Sequence, residues 1–274
     1  MGYENWFDAV ADDATDRLVS TLVDSRGAAV VLTGAGISAA SGVPSFRGHS
    51  GLWEKYDPRD HATIQAFRDD PEKVWEMLWD LDAILDEATP NPAHDAIAEL
   101  ERLGVVSSVI TQNVDGLHQD AGSREVIELH GSRRTLTCLD CARTFAREEV
   151  LAEVERGTVP RCRACGGYLK PDVVLFGEEL PHDAIRRARQ EVAGCDDLLV
   201  VGTAAEVEPA ASLPRLAREE GARIWEINPE PNLPTDRRIA QPAEDALPEI
   251  VARVRKQRDH DVPSLWDRLR RRLG

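Results

Sequence analysis

Four of the five cysteines are spaced in a pattern that can bind a metal ion. Cys138 and Cys141 form one C-x-x-C pair, and Cys162 and Cys165 form a second pair further along the chain. Each pair can direct two thiolates at one cation, so the two pairs together predict a tetrahedral zinc site of the zinc-ribbon type. Disulfides are the alternative, which a cytoplasmic chain disfavours. Because protein ligands fill all four positions, we expect the zinc ion to be structural rather than catalytic.

A second candidate site lies where an apolar segment runs into a glycine-rich turn. The segment “VVLTGAGIS” (30–38) places four residues after a predicted strand: Gly34, Ala35, Gly36 and Ser38. A buried strand, a glycine turn and a helix start can hold the pyrophosphate of a dinucleotide, and residues 34–39 fit the G-x-G-x-x-A pattern. The acidic residue expected about 20 positions later should end a second strand. Glu54 stands among prolines and glycines instead, so the riboses must be bound elsewhere.

Polar residues also follow other apolar segments. They are Gln112, Asn113 and Asp115 in “TQNVDGLH”, Gly202 and Thr203 in “GTAAEVEPA”, and Asn228 in “EINPEPN”. In an extended chain Asn113 and Asp115 point the same way, so an amide and a carboxylate can bind a ribose or a carboxamide together. His130 precedes a glycine at the end of a further strand. Its position alone fits either a structural histidine or a general base.

The elements that must position these residues are short apolar strands alternating with amphipathic helices. We predict strands at 28–34, 105–113, 125–131, 172–178, 197–203 and 222–228. We predict helices at 92–104, 181–194, 209–221 and 243–255. Nearly all-apolar strands that alternate with helices indicate a parallel sheet covered on both faces. The candidate residues then fall at the carboxyl ends of the strands, where such folds bind ligands.

Two insertions divide the chain into a large and a small domain. We predict a Rossmann-like domain from residues 20–48, 91–130 and 171–251, and a small domain from residues 49–90 and 131–170. The small domain combines a helical insertion with the zinc ribbon, and a cleft between the domains is the expected place for substrates. Residues 252–274 form a basic C-terminal tail, for which the sequence fits a short amphipathic helix or a disordered segment.

Composition excludes several classes of function. The 274 residues carry a net charge of −16, so direct nucleic-acid binding is not expected. The sequence contains no apolar segment long enough for a membrane helix and no export signal, so we expect a cytoplasmic enzyme without membrane contact.

The ordered motifs “GAGISAASGVPSFRG”, “TQNVDGLH”, “ELHG”, the two C-x-x-C pairs, “VLFGE”, “GTAAEVEPA” and “INPE” resemble those of the sirtuins. Sirtuins are NAD-dependent protein lysine deacylases, and the resemblance extends from about residue 20 to residue 250. It implies an α/β fold: a Rossmann-like parallel-sheet domain with a smaller domain made of a zinc ribbon and a helical insertion. NAD as co-substrate, structural zinc, and an acyl-lysine protein or peptide as partner follow from it.

The resemblance also implies roles for individual residues. The implied catalytic residues are His130, as the base, and Asn113 and Asp115, which lie beside the nicotinamide ribose. The implied NAD-binding residues are Gly34, Ala35, Gly36, Ser38, Phe46, Arg47, Gln112, Asn113, Asp115, Gly202, Thr203, Asn228 and Glu230. The implied peptide-binding residues are Val174, Phe176, Gly177, Glu178 and Val207, with the peptide lying as an added strand.

The sequence departs from the sirtuin pattern at a few positions. Ser45 stands where many sirtuins have aspartate, and Ala204 replaces a serine near NAD. Leu78 and Leu81 occupy the positions of the Tyr-x-x-Arg pair that binds succinyl-lysine, so we expect neutral acyl groups to be preferred over succinyl or malonyl groups. Two alternative functions remain: protein mono-ADP-ribosyltransferase, and non-catalytic NAD-sensing zinc protein.

Overall fold

The computed structural model describes residues 3–25, 29–44, 52–155, 157–235 and 237–261. These residues form nine strands: β1 Ala29–Thr33, β2 Val106–Thr111, β3 Val126–Glu128, β4 Gly131–Cys138, β5 Thr144–Ala146, β6 Leu169–Val173, β7 Asp197–Val201, β8 Arg223–Ile227 and β9 Arg238–Ile239. They form eleven α-helices: α1 Tyr3–Asp24, α2 Leu52–Lys55, α3 Pro58–His61, α4 Ile64–Asp69, α5 Pro71–Glu87, α6 Pro92–Arg102, α7 Leu117–Asp120, α8 Arg147–Glu155, α9 His182–Gly194, α10 Leu213–Glu219 and α11 Ala243–Asp261. Short 3₁₀ helices span Ala35–Ser41 and Ala210–Ser212.

Six strands form one parallel sheet in the order β3-β2-β1-β7-β8-β9. The strand order reverses between β1 and β7. The connections that leave these two strands therefore diverge and open a crevice at the carboxyl ends of the strands. This order is that of a Rossmann-like sheet, which confirms the predicted α/β fold class.

Helices bury both faces of this sheet. Val31 of β1 packs into a core cluster with residues of α1, α6 and α11. Its neighbours Val30 and Leu32 point to the opposite face and pack with residues of α9 and α10. Because side chains alternate along a strand, a strand covered on both faces is buried along its length and is mostly apolar. All five residues of β1 are buried accordingly.

A second, antiparallel sheet has the order β5-β4-β6 and carries the cysteine pairs near its ends. A separate core cluster joins it to the helical insertion and includes Phe67, Trp75 and Leu136. The indole N–H of Trp75 on α5 donates to the carbonyl oxygen of Leu169 on β6, at 3.1 Å. The helical insertion and the small sheet therefore share one core.

The prediction of a parallel-sheet strand at 172–178 is wrong. Its first residues belong to β6 of the small sheet, and residues 174–178 form an irregular segment. Gly177 adopts a left-handed conformation with φ +87°, which ends any extended run there. The apolar pattern arises because Val173 and Leu175 enter the core of the helical insertion rather than the two faces of a sheet.

The predicted helices are present with shifted ends. The segment 209–221 contains a 3₁₀ helix followed by α10, and α11 continues beyond residue 255 to Asp261. The beginning of the basic tail is therefore helical, while residues 262–274 lie outside the described residues. Within the described part of the chain, no helix combines the length and apolarity needed to cross a membrane.

Candidate active site

A cleft of about 750 Å³ opens at the carboxyl ends of β1, β2 and β7. It gathers predicted residues from several motifs: Gly34, Ala35, Gly36, Gln112, Asn113, His130, Gly202 and Thr203. The five predicted peptide residues also line it: Val174, Phe176, Gly177, Glu178 and Val207. Residues Met77, Leu78 and Leu81 of α5 complete an apolar part of the wall. Side chains far apart in sequence thus meet in one cavity.

The glycine turn after β1 crosses the turn after β7 in direct backbone contact. The amide of Gly36 donates to the carbonyl oxygen of Gly202 at 2.8 Å. A Cβ atom on Gly36 would lie 2.7 Å from that oxygen, and one on Gly202 would lie 2.3 Å from the amide nitrogen of Ile37. No side chain fits at either position, so this part of the cleft is lined by backbone, as close approach of a pyrophosphate requires.

Asn113 and Asp115 converge on the hydroxyl of Ser38. The side-chain amide of Asn113 donates from Nδ2 to Ser38 Oγ at 3.1 Å, and the Ser38 hydroxyl donates to Asp115 Oδ2 at 2.7 Å. Asn113 also donates to the carbonyl oxygen of Gly34 at 3.1 Å. All three side chains are buried, so these bonds fix their orientation under the glycine turn.

Gln112, Thr203 and Asn228 link the ends of three strands. Gln112 Nε2 donates to Thr203 Oγ1 at 2.9 Å, and Asn228 Nδ2 donates to the Thr203 carbonyl oxygen at 3.2 Å. Asn228 is buried behind the cleft rather than lining it.

Glu230 is exposed and outside the cleft lining, and its role stays a prediction. Phe46 and Arg47, like Ser45, lie outside the described residues.

His130 lies between β3 and β4 and lines the cleft. Its Nδ1 is 2.8 Å from the carbonyl oxygen of Gln112. A carbonyl oxygen can only accept, so the neutral ring carries its proton on Nδ1 and keeps Nε2 as the basic nitrogen. Burial lowers the pKa of His130, and the hydrogen bond to Gln112 opposes this only in part. The imidazole is therefore suited to act as a neutral general base.

Gly131 fixes His130 against the small sheet. It has φ +73°, and a Cβ atom there would lie 1.9 Å from the carbonyl oxygen of Asp172 on β6. The carbonyl oxygen of His130 accepts a hydrogen bond from the amide of Val174 at 2.9 Å. These contacts set the position of the imidazole relative to segment 174–178.

Sequence reasoning missed a buried histidine pair beneath these loops. His118 Nε2 lies 2.9 Å from Thr33 Oγ1, and the His118 and His94 ring centroids are 4.9 Å apart. Burial, followed by the nearby His94, lowers the pKa of His118 to about 3. Burial also lowers the pKa of His94, so both rings are expected to be neutral supports of the turns that follow β1 and β2. The only sequence signal was the place of His118 within “TQNVDGLH”.

The four predicted zinc ligands form one cluster. Their sulfur atoms all lie within 4.8 Å of one another, with 3.5 Å between Cys138 and Cys165 and 3.6 Å between Cys141 and Cys162. Zinc–sulfur bonds of about 2.3 Å in a tetrahedron place sulfurs about 3.8 Å apart, so the cluster fits zinc.

Cys195 does not belong to this cluster. It is buried at the C-terminal end of α9, where its thiol donates to the Val192 carbonyl oxygen at 3.2 Å. Burial raises the pKa of the Cys195 thiol to about 11, so it stays protonated and packs as a small core residue.

A Rossmann-like sheet, a backbone-lined turn at its strand-order reversal and a four-thiol module define a dinucleotide-binding protein with a zinc ribbon. The sequence profile of the Sir2 family matches residues 34–209, and the chain belongs to the Sir2 family.

Relatives with curated names and solved structures agree with this assignment. The chain is 50% identical over 251 residues to NAD-dependent protein deacylase 2 of Archaeoglobus fulgidus, covering 90% of this chain and 98% of that protein. A structure of a Sir2 enzyme is 48% identical with a TM-score of 0.84, covering 90% of this chain and 99% of that one. A Sir2 protein bound to a myristoylated histone peptide is 42% identical with a TM-score of 0.77, covering 91% of this chain and 99% of that one.

Proposed function

We propose that this protein is an NAD-dependent protein lysine deacylase that converts acyl-lysine, NAD and water into lysine, nicotinamide and O-acyl-ADP-ribose. The observation that carries the proposal is the placement of His130. His130 lines the same cleft as the glycine turn and segment 174–178, and its Nδ1 contact leaves Nε2 as the basic nitrogen. The relatives' names, with their NAD dependence and deacylase activity, support the same conclusion.

NAD binds, in this proposal, with its phosphates on the backbone at Gly34–Gly36 and its nicotinamide ribose near Asn113 and His130. Its glycosidic bond supplies the electrophilic sugar carbon that the acyl oxygen attacks, with nicotinamide as the leaving group. His130 accepts a proton from a ribose hydroxyl, and that oxygen then attacks the acyl carbon. Addition of water breaks the bond from the acyl carbon to the lysine nitrogen and releases free lysine and O-acyl-ADP-ribose. The Ser38–Asn113–Asp115 network holds the amide and carboxylate in place, so little reorganisation is needed when charge develops.

The peptide is proposed to add as a strand between residues 174–178 and 206–209. Within the described part of the chain, no backbone hydrogen bond uses the carbonyl oxygen of Val174 or the amide of Gly177. The amides of Val174 and Phe176 instead donate to His130 and Ala62. The open groups can pair with a peptide backbone, and Phe176 is 48% exposed beside them.

We expect the enzyme to turn over acetyl-lysine and longer neutral acyl-lysines faster than succinyl-lysine. The wall formed by Leu78 and Leu81 offers no partner to a carboxylate. The two arginines behind it, Arg133 and Arg147, are each paired with Asp82 and Asp86. Burying an unpaired carboxylate costs several kcal/mol, so kcat/KM for the succinyl-lysine peptide is expected to be about 100-fold lower than for the acetyl-lysine peptide. The comparison uses acetyl and succinyl versions of one peptide, and faster succinyl turnover contradicts the assignment.

Replacing Gly36 by alanine should weaken NAD binding by about 100-fold, because the new methyl group displaces the turn from Gly202 by a steric conflict costing about 3 kcal/mol. Isothermal titration with NAD measures the effect. Gly194→Ala is the matched control, since its Cβ meets no atom within 4 Å and its site is at the end of α9. Equal NAD affinity in both variants would place the pyrophosphate elsewhere.

One assay separates the proposed function from its alternatives. The protein is incubated with NAD and an acetyl-lysine peptide, and nicotinamide and deacetylated peptide are measured together. Equal amounts support deacylation, nicotinamide with ADP-ribosylated protein supports a transferase, and neither product supports a non-catalytic NAD sensor.

The four free thiols of the two C-x-x-C pairs and the need for NAD also fit the proposed cytoplasmic location, where cysteines stay reduced.

A further inference from the structure

Lys170 is a buried lysine that the deacylase mechanism does not use. It is 5% exposed and lies on β6, an edge strand of the small sheet. Its ammonium group donates to the carbonyl oxygens of Pro171 and Val173 at 2.9 and 2.8 Å. Glu178 Oε2 lies 3.1 Å away as the third partner. An ammonium has three N–H donors, so these three oxygens satisfy it completely.

These contacts hold segment 174–178 in its observed shape. The same carboxylate oxygen of Glu178 accepts from the amide of Leu175 at 2.8 Å. The amide of Glu178 donates back to the carbonyl oxygen of Leu175 at 3.0 Å, which closes a tight turn through Gly177. Lys170 therefore ties the end of β6 to the turn whose open backbone groups face the cleft.

The opposite side of the segment is tied to the helical insertion. Phe176 donates its amide to Ala62, and its carbonyl oxygen accepts from Ile64 at 3.0 Å. Only the cleft-facing side of the segment is thus left for a ligand. A lysine is costly to bury, and a stable core needs only an apolar residue here. The burial of a lysine whose ammonium makes three polar contacts is better explained by the conformation that these contacts give to the turn.

We propose that Lys170 is a positioning residue for the acyl-peptide: by holding Glu178 and the end of β6, it keeps the peptide-binding backbone of segment 174–178 in a pre-formed conformation. This inference rests on the proposed function for the identity of the ligand. A pre-formed backbone lowers the entropic cost of ordering segment 174–178 when the peptide binds. Replacing Lys170 should therefore weaken peptide affinity rather than slow the chemical step.

The test replaces Lys170 by methionine, which keeps the length of the side chain and removes its charge. Loss of a hydrogen-bonded charge should raise KM for the acetyl-lysine peptide by about ten-fold or more. We expect KM for NAD and kcat to stay within about two-fold, measured well below the melting temperature. Lys170→Arg, which retains the positive charge, should recover most of the peptide affinity. Lys73→Met is the matched control, since Lys73 forms an exposed ion pair with Asp60.

A purely structural lysine gives a different result: Lys170→Met then lowers the melting temperature and leaves KM for the peptide unchanged, which overturns the proposal. If Lys170→Met does not fold, Glu178→Ala removes the same contact from its other side, and an unchanged peptide KM in that variant also overturns the proposal. Fluorescence anisotropy with a labelled acetyl-lysine peptide measures affinity without turnover. An inactive wild-type protein would refute the proposed function, whereas wild-type peptide affinity in Lys170→Met would refute this inference alone.

Discussion

Replacing His130 by alanine is expected to lower kcat/KM for deacetylation by about 1,000-fold, the usual range for loss of a general base. The imidazole donates Nδ1–H to Gln112 and keeps Nε2 as its basic nitrogen in a residue that lines the cleft, whereas alanine offers no proton acceptor. Steady-state kinetics with an acetyl-lysine peptide measure the loss. The variant should still fold, because the His130 ring makes only this one hydrogen bond among the described residues.

His61→Ala provides the control for loss of an imidazole. His61 lies in the helical insertion with its ring against Tyr56, outside the cleft lining, and the variant should keep kcat within about two-fold. Retention of more than a tenth of the activity in His130→Ala would remove His130 from the mechanism.

The pH dependence of the same reaction tests the ionisation state of His130. Burial lowers its pKa from the ordinary value of about 6.5, so the neutral, basic form persists below that pH. Activity should therefore stay level through neutral pH and fall on the acid side as the ring takes up a proton. A profile that falls with rising pH through neutrality would contradict a neutral base.

Replacing Cys165 by serine is expected to remove the zinc ion and unfold the small sheet. Structural zinc contributes about 10 kcal/mol or more to the folding of small modules, so three ligands should not hold the ribbon together. Since Gly131 on β4 directly follows His130, loss of the small sheet should also abolish activity. Zinc content per chain and thermal unfolding measure the effect.

The fifth cysteine supplies the control. Cys195→Ser removes a thiol that packs in a different core and does not belong to the four-sulfur cluster, so it should keep one zinc ion per chain. Full zinc content in Cys165→Ser, or unchanged unfolding after chelation, would show that the four thiols are not a structural metal site.

Local patterns were sufficient to predict the large sheet because its strands carry their own signal. The five residues of β1 are apolar up to Thr33 and are followed by glycines, so both the strand and its turn could be placed. The cysteine cluster was predictable for a similar reason, since each knuckle is encoded within four residues. The prediction of a parallel-sheet strand at 172–178 failed because the apolar side chains of this segment pack in the core shared by the small sheet and the helical insertion. A local sequence pattern does not show in which core an apolar side chain packs.

The supports of the site were less accessible to sequence reasoning. Lys170 binds three oxygens that follow it in sequence, but its burial depends on how β6 packs against the helical insertion. His94 and His118 meet only because α6 and α7 pack together below the glycine turn. Such contacts depend on tertiary packing, so they cannot be predicted from the spacing of residues in the sequence.

The fate of the acyl group tests the central claim most directly. The protein is incubated with NAD and a peptide whose lysine carries a ¹³C-labelled acetyl group, and the products are separated and identified by mass spectrometry. The proposed chemistry transfers the label to ADP-ribose, so labelled O-acetyl-ADP-ribose should appear in an amount equal to nicotinamide. Label recovered as free acetate while NAD remains intact would contradict the proposal, because the acyl group would then have been released without using the sugar carbon of NAD.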